Sequence, residues 1–251
     1  MTKKVLVTGA TGRTGSLVVK KLQSNDYGWQ VVPFARSSSK AQEIFGNTDN
    51  FIFGDILSPD DVSIALEGCE KLIILTSAVP KMITPPSEGK PPEFDFETNG
   101  KPEQVDWLGQ KNQIDSAKKA GIKHIILVGS MGGTNENHPL NRLGNGNILI
   151  WKRKAEQYLM DSAIDYTIIR AGGLLDKPDG KRKLLVGKDD EFLASPPNGI
   201  PTSIPRGDVA NMVIQALNNP FAKNKAFDLI SQPENDDTSI SIDWDALFQL
   251  A

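Results

Sequence analysis

Three glycines near the amino terminus have the spacing of a turn that binds phosphate. Gly9, Gly12 and Gly15 lie in GATGRTG, between the apolar run KVLVT and an amphipathic segment. In such a turn the first glycine permits the bend, the second lets backbone approach a pyrophosphate, and the third lets the helix pack on the strand. The helix amino terminus then offers free N–H groups and a positive dipole end. The contacts predicted from this turn are Gly9, Thr11, Gly12, Arg13, Thr14 and Gly15.

The residue that ends the second predicted strand usually selects the dinucleotide. An Asp or Glu there would hydrogen-bond the ribose 2′-hydroxyl of NAD, but the segment FARSSSK has Arg36 at this corner and no acid. Because a guanidinium binds phosphate bidentately, Arg36 and Arg13 together predict a preference for the 2′-phosphate of NADP(H). The alternative is that Arg36 is a solvated surface residue.

The ends of the third and fourth predicted strands supply further candidates. Asp55 is placed to accept a hydrogen bond from an adenine amino group, with Ile56 packing on the ring. The alternative is that Asp55 only begins the turn before Ser58. Small residues at the end of the fourth strand would let backbone pass beneath a cofactor, and these are Thr76, Ser77 and Ala78.

Strand-like and helix-like segments alternate along the chain and must position these residues. Continuous apolar runs such as KLIIL and HIILV predict strands covered on both faces, as in a parallel sheet. Strands that alternate with helices require right-handed crossovers. The sequence therefore predicts an α/β fold with a doubly wound, mainly parallel sheet. A single domain over 1–251 is expected, with a small carboxyl-terminal substrate lobe at about 175–251.

The predicted elements have defined ranges. The strands of the sheet are expected at 4–8, 29–35, 50–55, 71–78, 124–130 and 165–173. The helices between them are expected at 12–24, 39–45, 59–66, 104–121 and 148–163. Ser58 is a plausible N-cap for the third helix, and Pro59 suits its first position.

Two connections are longer than the usual loop. Residues 79–102 carry six prolines, and residues 131–147 are rich in glycine and asparagine. Both follow the carboxyl end of a strand, where ligands bind in open α/β sheets. Loops of this length are typically lids or binding arms, with partial disorder as the alternative.

Composition excludes several classes of protein. A net charge of −3 over 251 residues lacks the basic excess of a nucleic-acid-binding protein. The single cysteine, Cys69, excludes an intramolecular disulfide framework and fits a reducing compartment. No apolar run approaches the ~20 residues that span a bilayer, and the amino terminus has no signal-peptide pattern. The expectation is a cytoplasmic protein with no membrane and no nucleic-acid partner.

These motifs, with VGSMGG, WKRKAEQYL, YTIIRAGGL and IPRGDVA, resemble the short-chain dehydrogenase/reductase superfamily. The chain is similar to its atypical NAD(P)-binding group, which has NmrA-like and biliverdin-reductase-B-like members, and within that group to the plant and cyanobacterial branch. The motifs run from residue 7 to residue 210. The resemblance implies a Rossmann-type fold with NADP across the strand ends. It also implies close backbone approach to the nicotinamide at Ala171, Gly172 and Gly173, although the family has proline at Ala171.

The same resemblance identifies catalytic positions and one departure. Short-chain reductases use a serine, and a tyrosine followed four residues later by a lysine. Ser130 matches the serine, Lys152 matches the lysine, and Glu156 matches a downstream glutamate. The tyrosine position falls on Ile148, which has no proton to give. Lys152 either holds the nicotinamide ribose or is a surface lysine paired with Glu156, and Ser130 is either catalytic or a structural serine at a strand end.

Other polar residues have structural interpretations. Arg170 is expected to pair internally, with Asp208 as the candidate partner. The charged run GKDDEF is expected to be a solvated turn. His124 and His138 lack partners at metal-ligand spacing, so no metal site is predicted.

Two functions fit these observations. The first is an NADPH-dependent oxidoreductase acting on a quinone, flavin, tetrapyrrole or other small-molecule acceptor whose reduction needs little acid catalysis from the protein, since hydride chemistry belongs to the cofactor. The alternative is a non-catalytic NADP(H)-sensing or partner-binding protein that docks a protein partner through loop 79–102. A nucleotide-sugar epimerase fits least, because that chemistry depends on the missing tyrosine.

Overall fold

A computed structural model describes residues 3–24, 27–87, 89, 91–233 and 240–251. Its strands are β1 (Lys3–Thr8), β2 (Trp29–Ala35), β3 (Ile52–Phe53), β4 (Lys71–Ile74), β5 (Lys81–Thr84), β6 (Glu93–Asp95), β7 (His124–Ser130), β8 (Asp165–Ala171), β9 (Gly173–Leu175), β10 (Arg182–Gly187), β11 (Ser203–Pro205) and β12 (Lys225–Pro233). Its α-helices are α1 (Arg13–Ser24), α2 (Ser38–Phe45), α3 (Pro59–Ala65), α4 (Gln110–Lys119), α5 (Ile148–Met160), α6 (Glu191–Ala194), α7 (Arg206–Ala216) and α8 (Trp244–Leu250).

The central sheet has eight strands in the order β10-β12-β8-β7-β4-β1-β2-β3. Its neighbouring strands are parallel except for the antiparallel pair β10 and β12. This arrangement confirms the predicted doubly wound, mainly parallel α/β fold. The order reverses between β1 and β4, and β1 is the strand that leads into the glycine turn. Open sheets of this kind bind ligands at such a reversal.

Helices cover both faces of the sheet. On one face α1, α2, α7 and α8 share a core with β1 and β2, and on the other face α3, α4 and α5 pack on β4 and β7. The middle strands are therefore buried on both sides, which is why their sequences are continuously apolar. No described helix is long and apolar enough to cross a membrane.

The third and fourth strands are shorter than the sequence predicts. The third covers only Ile52–Phe53, and β4 ends at Ile74 instead of Ala78. Beyond Ile74 the backbone leaves the ladder and bonds to side chains on the next helical segment. Gln110 Nε2 donates to the Thr76 carbonyl at 3.3 Å, and the Ala78 N–H donates to Asp106 at 3.0 Å.

Helix boundaries also differ in places. The helix expected at 104–121 begins as a π-helical turn, Glu103–Gly109, and continues as α4. The helix at 59–66 is confirmed almost to the residue, because Ser58 caps it by accepting a hydrogen bond from the Asp61 N–H at 3.3 Å.

The carboxyl-terminal segment, expected as a small lobe, contributes β10 and β12 to the main sheet. It also supplies β11, which pairs in parallel with β9 in a separate two-stranded sheet. These pairings place β12 beside β8 and β10 at the edge of the main sheet.

Both long connections contain local structure. In residues 79–102, β5 and β6 pair as an antiparallel hairpin, here called the proline hairpin. In residues 131–147 a 3-10 helical segment, Pro139–Asn145, precedes α5. The two meet at Phe96, which is 8% exposed and lies so close to Gly146 that a Cβ there would be 2.5 Å from the Phe96 ring.

Candidate functional site

Two glycines of the turn, Gly9 and Gly15, are packed too tightly to hold a side chain. Gly9 has φ +71°, and a Cβ on it would lie 2.7 Å from the carbonyl carbon of Leu75. A Cβ on Gly15 would overlap the carbonyl oxygen of Gly9. The Gly12 N–H closes the turn by donating to that same oxygen at 2.9 Å. The backbone of the turn is therefore accessible to a ligand at Gly12 and locked against the sheet at Gly9 and Gly15.

A cavity of about 250 Å³ opens beside this turn, at the carboxyl ends of β1, β2 and β4. Most of the residues predicted to contact a dinucleotide line it together, namely Gly9, Thr11, Gly12, Arg36, Asp55, Ile56, Thr76, Ser77 and Ala78. The proline hairpin and the segment after it form the outer wall through Val79, Lys81, Glu97, Asn99 and Gly100. The structure thus gathers residues from four separate strand ends and one long loop around a single space.

The corner after β2 carries two cations at this cavity. Arg36 is exposed and lines it, as predicted, and Lys40 lines it as well. Ser37 caps α2 by accepting a hydrogen bond from the Lys40 N–H at 3.1 Å. Lys40 was missed from the sequence, although a basic residue four positions after Arg36 in a helix's first turn was a usable signal.

Arg13 lies apart from this corner. Its guanidinium forms an ion pair with Asp176, just after β9, and Arg13 does not line the cavity. Arg206 approaches the same carboxylate at 3.5 Å. Thr14, in the first turn of α1, is likewise outside the cavity lining. The two arginines expected to share one phosphate are therefore separated, and only Arg36 faces the cavity.

Asp55 forms the turn before α3 and also lines the cavity. Its Oδ1 accepts a hydrogen bond from the Leu57 N–H at 2.9 Å, which forms the turn before α3. Its backbone N–H donates to Asp61 Oδ2 at 2.8 Å. Because Asp55 also lines the cavity, the turn fixes the carboxylate at the wall where an adenine would lie.

Lys152 is a buried residue with a buried partner. Its residue exposure is 8%, and its Nζ lies 2.7 Å from Oδ1 of Asp106, which is fully buried in the π-helical turn. The surface interpretation of Lys152, and its pairing with Glu156, are wrong. Asp106 was missed by the sequence reasoning, although a lone acid between Val105 and Trp107 was a signal of a buried charge.

Asp106 connects Lys152 to the cavity wall. One of its oxygens accepts from Lys152, and the other accepts the Ala78 N–H at 3.0 Å. Ala78 itself lines the cavity. The carboxylate therefore holds both the lysine and the backbone that passes beneath the predicted cofactor.

Glu156 pairs with arginines instead of with Lys152. Its Oε2 accepts hydrogen bonds from Arg170 Nε at 2.8 Å and from Arg153 at 3.2 Å. Burial raises the pKa of Glu156, and the two guanidinium groups oppose that rise. The expected pairing of Arg170 with Asp208 is wrong, since Asp208 accepts the Gly180 N–H at 2.8 Å.

Ser130 and Lys152 line a second, narrow concavity with Leu149, Arg153 and Glu156. The Ser130 hydroxyl donates to the Met131 carbonyl at 3.0 Å. Ile148, one turn before Lys152 on α5, is partly buried against the core. The serine and lysine are thus brought together, and the side chain at the predicted tyrosine position is a hydrocarbon.

The two glycines after β8, Gly172 and Gly173, contact neighbouring backbone and do not line the cavity. The Gly173 N–H donates to the Thr202 carbonyl at 2.8 Å, and a Cβ on Gly172 would lie 2.6 Å from that oxygen. Ala171, Gly172 and Gly173 line neither concavity. Close packing against the segment before β11 explains the glycine at 172, whereas a Cβ on Gly173 would come no closer than 3.6 Å to its neighbours.

The run GKDDEF is not a solvated turn at its centre. Asp190 is 7% exposed, and its carboxylate accepts the Gly132 N–H at 2.6 Å and the Thr134 N–H at 2.9 Å. These bonds hold the start of loop 131–147 in place. Hydrogen bonds to the charged form keep the pKa of Asp190 low despite burial.

The histidines have structural partners. His124 is buried, with Nε2 2.9 Å from Thr167 Oγ1, and burial together with the nearby Lys71 ammonium lowers its pKa to about 3. His138 Nδ1 accepts the Leu140 N–H at 3.3 Å. The Tyr158 hydroxyl donates a hydrogen bond to Asp115 at 2.6 Å, and this bond uses its only proton. Within the described ranges no three His, Cys, Asp or Glu residues form a cluster able to hold a metal ion.

A glycine turn, followed by a helix and opening on a cavity at parallel strand ends, defines a dinucleotide-binding protein of the Rossmann class. The profile of a family described as NAD(P)H-binding matches residues 9–220. The chain belongs to this NAD(P)H-binding family and is an atypical short-chain dehydrogenase/reductase. The backbone cradle at Gly9, Gly12 and Gly15 fits the pyrophosphate of such a cofactor.

Two relatives cover nearly the whole chain. An uncharacterised chloroplastic protein of Arabidopsis thaliana is 55% identical over 97% of this chain and 74% of its own length. Sanguinarine reductase of Eschscholzia californica is 51% identical over 92% of this chain and 89% of its own length. A solved structure, a putative NAD-dependent epimerase/dehydratase from Bacillus halodurans, has a TM-score of 0.72 at 21% identity, covers 99% of this chain and 100% of that chain, and shares the fold. The family is one of NAD(P)H-binding oxidoreductases.

The expected cytoplasmic location is contradicted by these relatives. The Arabidopsis relative at 55% identity is named as chloroplastic. The prediction failed because net charge, cysteine content and the lack of an apolar span are properties of the folded domain. These properties do not differ between a domain in the cytoplasm and one in a plastid.

Proposed function

We propose that this protein is an NADPH-dependent reductase of a conjugated, electron-poor acceptor such as a quinone, flavin or tetrapyrrole. The observation that carries the proposal is the pairing of Lys152 with Asp106 beside Ile148. In a tyrosine-dependent reductase the lysine must assist a tyrosine hydroxyl. Here the Lys152 ammonium forms an ion pair with the Asp106 carboxylate 2.7 Å away. The residue one helical turn earlier, Ile148, has a hydrocarbon side chain.

The residues present fit NADP(H). The turn at Gly12 would hold the pyrophosphate, Asp55 and Ile56 the adenine, and Arg36 with Lys40 the 2′-phosphate. When bound, the cofactor supplies hydride. The chain's own residues position it through the backbone of Thr76 to Ala78, which Asp106 and Gln110 hold in place.

A conjugated acceptor suits this site, because electron density from the hydride spreads over the ring system and a proton follows from solvent. Simple ketones need a positioned acid in the transition state, which typically contributes 10²–10⁴-fold. The relative named sanguinarine reductase supports a reductase in this family. We therefore infer that acceptors needing no protein acid are preferred over simple carbonyls.

The test is NADPH oxidation by the purified protein across quinones, flavins, tetrapyrroles and simple ketones. We expect turnover with one conjugated class and at least about 100-fold less with ketones. The negative control is Gly9→Ala, in which a Cβ would lie 2.7 Å from the Leu75 backbone and NADPH binding is expected to be lost. Equal turnover of ketones and quinones would contradict the proposal.

A second prediction concerns cofactor choice. Arg36→Ala is expected to weaken NADPH binding about 10-fold or more, since hydrogen bonds to charged groups contribute about 1.5–3 kcal/mol, and to change NADH binding less than about twofold. Calorimetric titration with both cofactors measures this. Arg142→Ala is the matched control, because Arg142 is exposed and does not line the cavity. Equal losses for NADPH and NADH would remove Arg36 from the 2′-phosphate site.

One observation favours the alternative, a non-catalytic NADP(H) sensor that binds a protein partner. The proline hairpin and the residues before it expose Val79 (70%), Met82 (54%) and Ile83 (62%), while Val79 and Lys81 also line the cavity. A surface so placed could report cofactor occupancy to a partner. NADPH binding without turnover of any acceptor class would favour this function.

A further inference from the structure

The outer wall of the cavity carries a charged pair that the fold does not need. Lys81, in β5, forms an ion pair with Glu97, which follows β6. Their side chains are 63% and 57% exposed, and both residues line the cavity. Exposed pairs of this kind add about 0–1 kcal/mol to stability. Because the ion pair adds so little to stability, its position at the cavity indicates a role in binding a ligand.

The pair faces the cations of the β2 corner. The hydrogen bond from Lys81, and then the Lys81 charge and the Arg36 charge, hold the pKa of Glu97 below its usual range. Arg36, Lys40, Lys81 and Glu97 line the same cavity, and the Arg36 charge is near enough to act on Glu97. Several cations lining one cavity are the chemistry of a phosphate site.

The proline hairpin is anchored on its β6 side, while β5 is free of such contacts. Phe96, next to Glu97, is buried against Gly144 and Gly146 of loop 131–147. The Gly100 N–H donates to the Glu97 carbonyl at 2.9 Å and closes a turn behind it. All four residues of β5 are exposed, so Lys81 stands on a strand that makes little contact with the body of the protein.

We propose that Lys81 is a ligand of the cofactor's 2′-phosphate and that Glu97 is its competing counter-ion. When NADP(H) binds, Lys81 leaves Glu97 and pairs with the 2′-phosphate instead. This change of partner brings the proline hairpin closer to the adenosine end of the cofactor. Lys81 therefore determines NADP(H) selectivity together with Arg36, and Glu97 weakens phosphate binding. This assignment rests on the proposed NADP(H) preference.

The test compares two nucleotides that differ only in the phosphate concerned, adenosine 2′,5′-bisphosphate and 5′-AMP, by calorimetry. Lys81→Ala is expected to weaken the bisphosphate about fivefold, as for a charge contact at an exposed site, and to leave 5′-AMP within about twofold. Glu97→Gln is expected to tighten the bisphosphate about two- to threefold, because the competing carboxylate is gone. Lys101→Ala is the control, an exposed lysine at the end of the same segment that does not line the cavity.

The two variants are expected to change bisphosphate binding in opposite directions, and this difference distinguishes the proposal from a purely structural role of the ion pair. If the ion pair only shaped the hairpin, both variants would break it and weaken both nucleotides alike, and the proposal would be overturned. No change in Lys81→Ala would overturn it as well. The Arg36→Ala variant separates this failure from failure of the cofactor proposal. Selective loss in Arg36→Ala with none in Lys81→Ala refutes the hairpin ligand alone, whereas no selective loss in either refutes the NADP(H) preference itself.

Discussion

Gly9→Ala is expected to abolish measurable NADPH binding and to lower the free energy of unfolding by about 3–5 kcal/mol. Two costs combine at this position. The φ of +71° is unfavourable for any residue with a Cβ. The new methyl would also lie 2.7 Å from the backbone of Leu75, which is itself held by the hydrogen bond from its N–H to the Thr8 carbonyl. Neither backbone can yield without separating the turn from β4.

Gly121→Ala isolates the first cost, that of the backbone conformation. Gly121 has φ +72°, but a Cβ there would meet nothing within 4 Å. We expect this control to lose only about 1–2 kcal/mol and to bind NADPH normally. Urea unfolding and NADPH fluorescence titration of both variants measure the difference. Equal destabilisation of the two variants would show that the contact with Leu75 contributes nothing.

The second large effect is expected at the buried ion pair. Asp106→Asn leaves the Lys152 ammonium buried with no counter-ion, and Lys152→Met leaves the Asp106 carboxylate in the same state. Removing one partner of a buried pair costs about 3–5 kcal/mol. We expect each single variant to lose stability by this amount. An acceptor for the Ala78 N–H remains in both variants, so the loss reports the unpaired charge.

The double variant tests the mechanism. Asp106→Asn/Lys152→Met removes both charges, so neither is left unpaired, and replacing both partners is often close to neutral. We expect its free energy of unfolding to exceed that of either single variant, with a coupling of about 3 kcal/mol or more in urea unfolding. Losses that simply add would mean that the two side chains do not interact. Lys111→Ala/Asp115→Ala is the surface comparison, since that i,i+4 pair is about one-third exposed and should show coupling below about 0.5 kcal/mol.

Several features could be read from local sequence. The glycine spacing in GATGRTG specifies a turn because each position limits its own backbone, and the continuous apolar runs indicate buried parallel strands because burial on both faces leaves no polar side. The Ser58–Pro59 start of α3 is likewise local, since a cap bonds within its own first turn. Arg36 and Asp55 could be placed because strand ends of a parallel sheet meet at one edge.

The sequence by itself therefore determined the doubly wound fold, the cofactor class and the hydrocarbon at residue 148. Only the tertiary structure decided which charges meet. For Lys152, Glu156 on its own helix was one of two candidate partners, but Lys152 bonds to Asp106, 46 residues away. Glu156 bonds instead to Arg170 on β8. Arg13, expected at the phosphate, pairs with Asp176. For the buried pairs the physical reason is that a buried charge takes the partner that packing brings within about 3 Å, and that distance is set by the crossing of strands and helices remote in sequence.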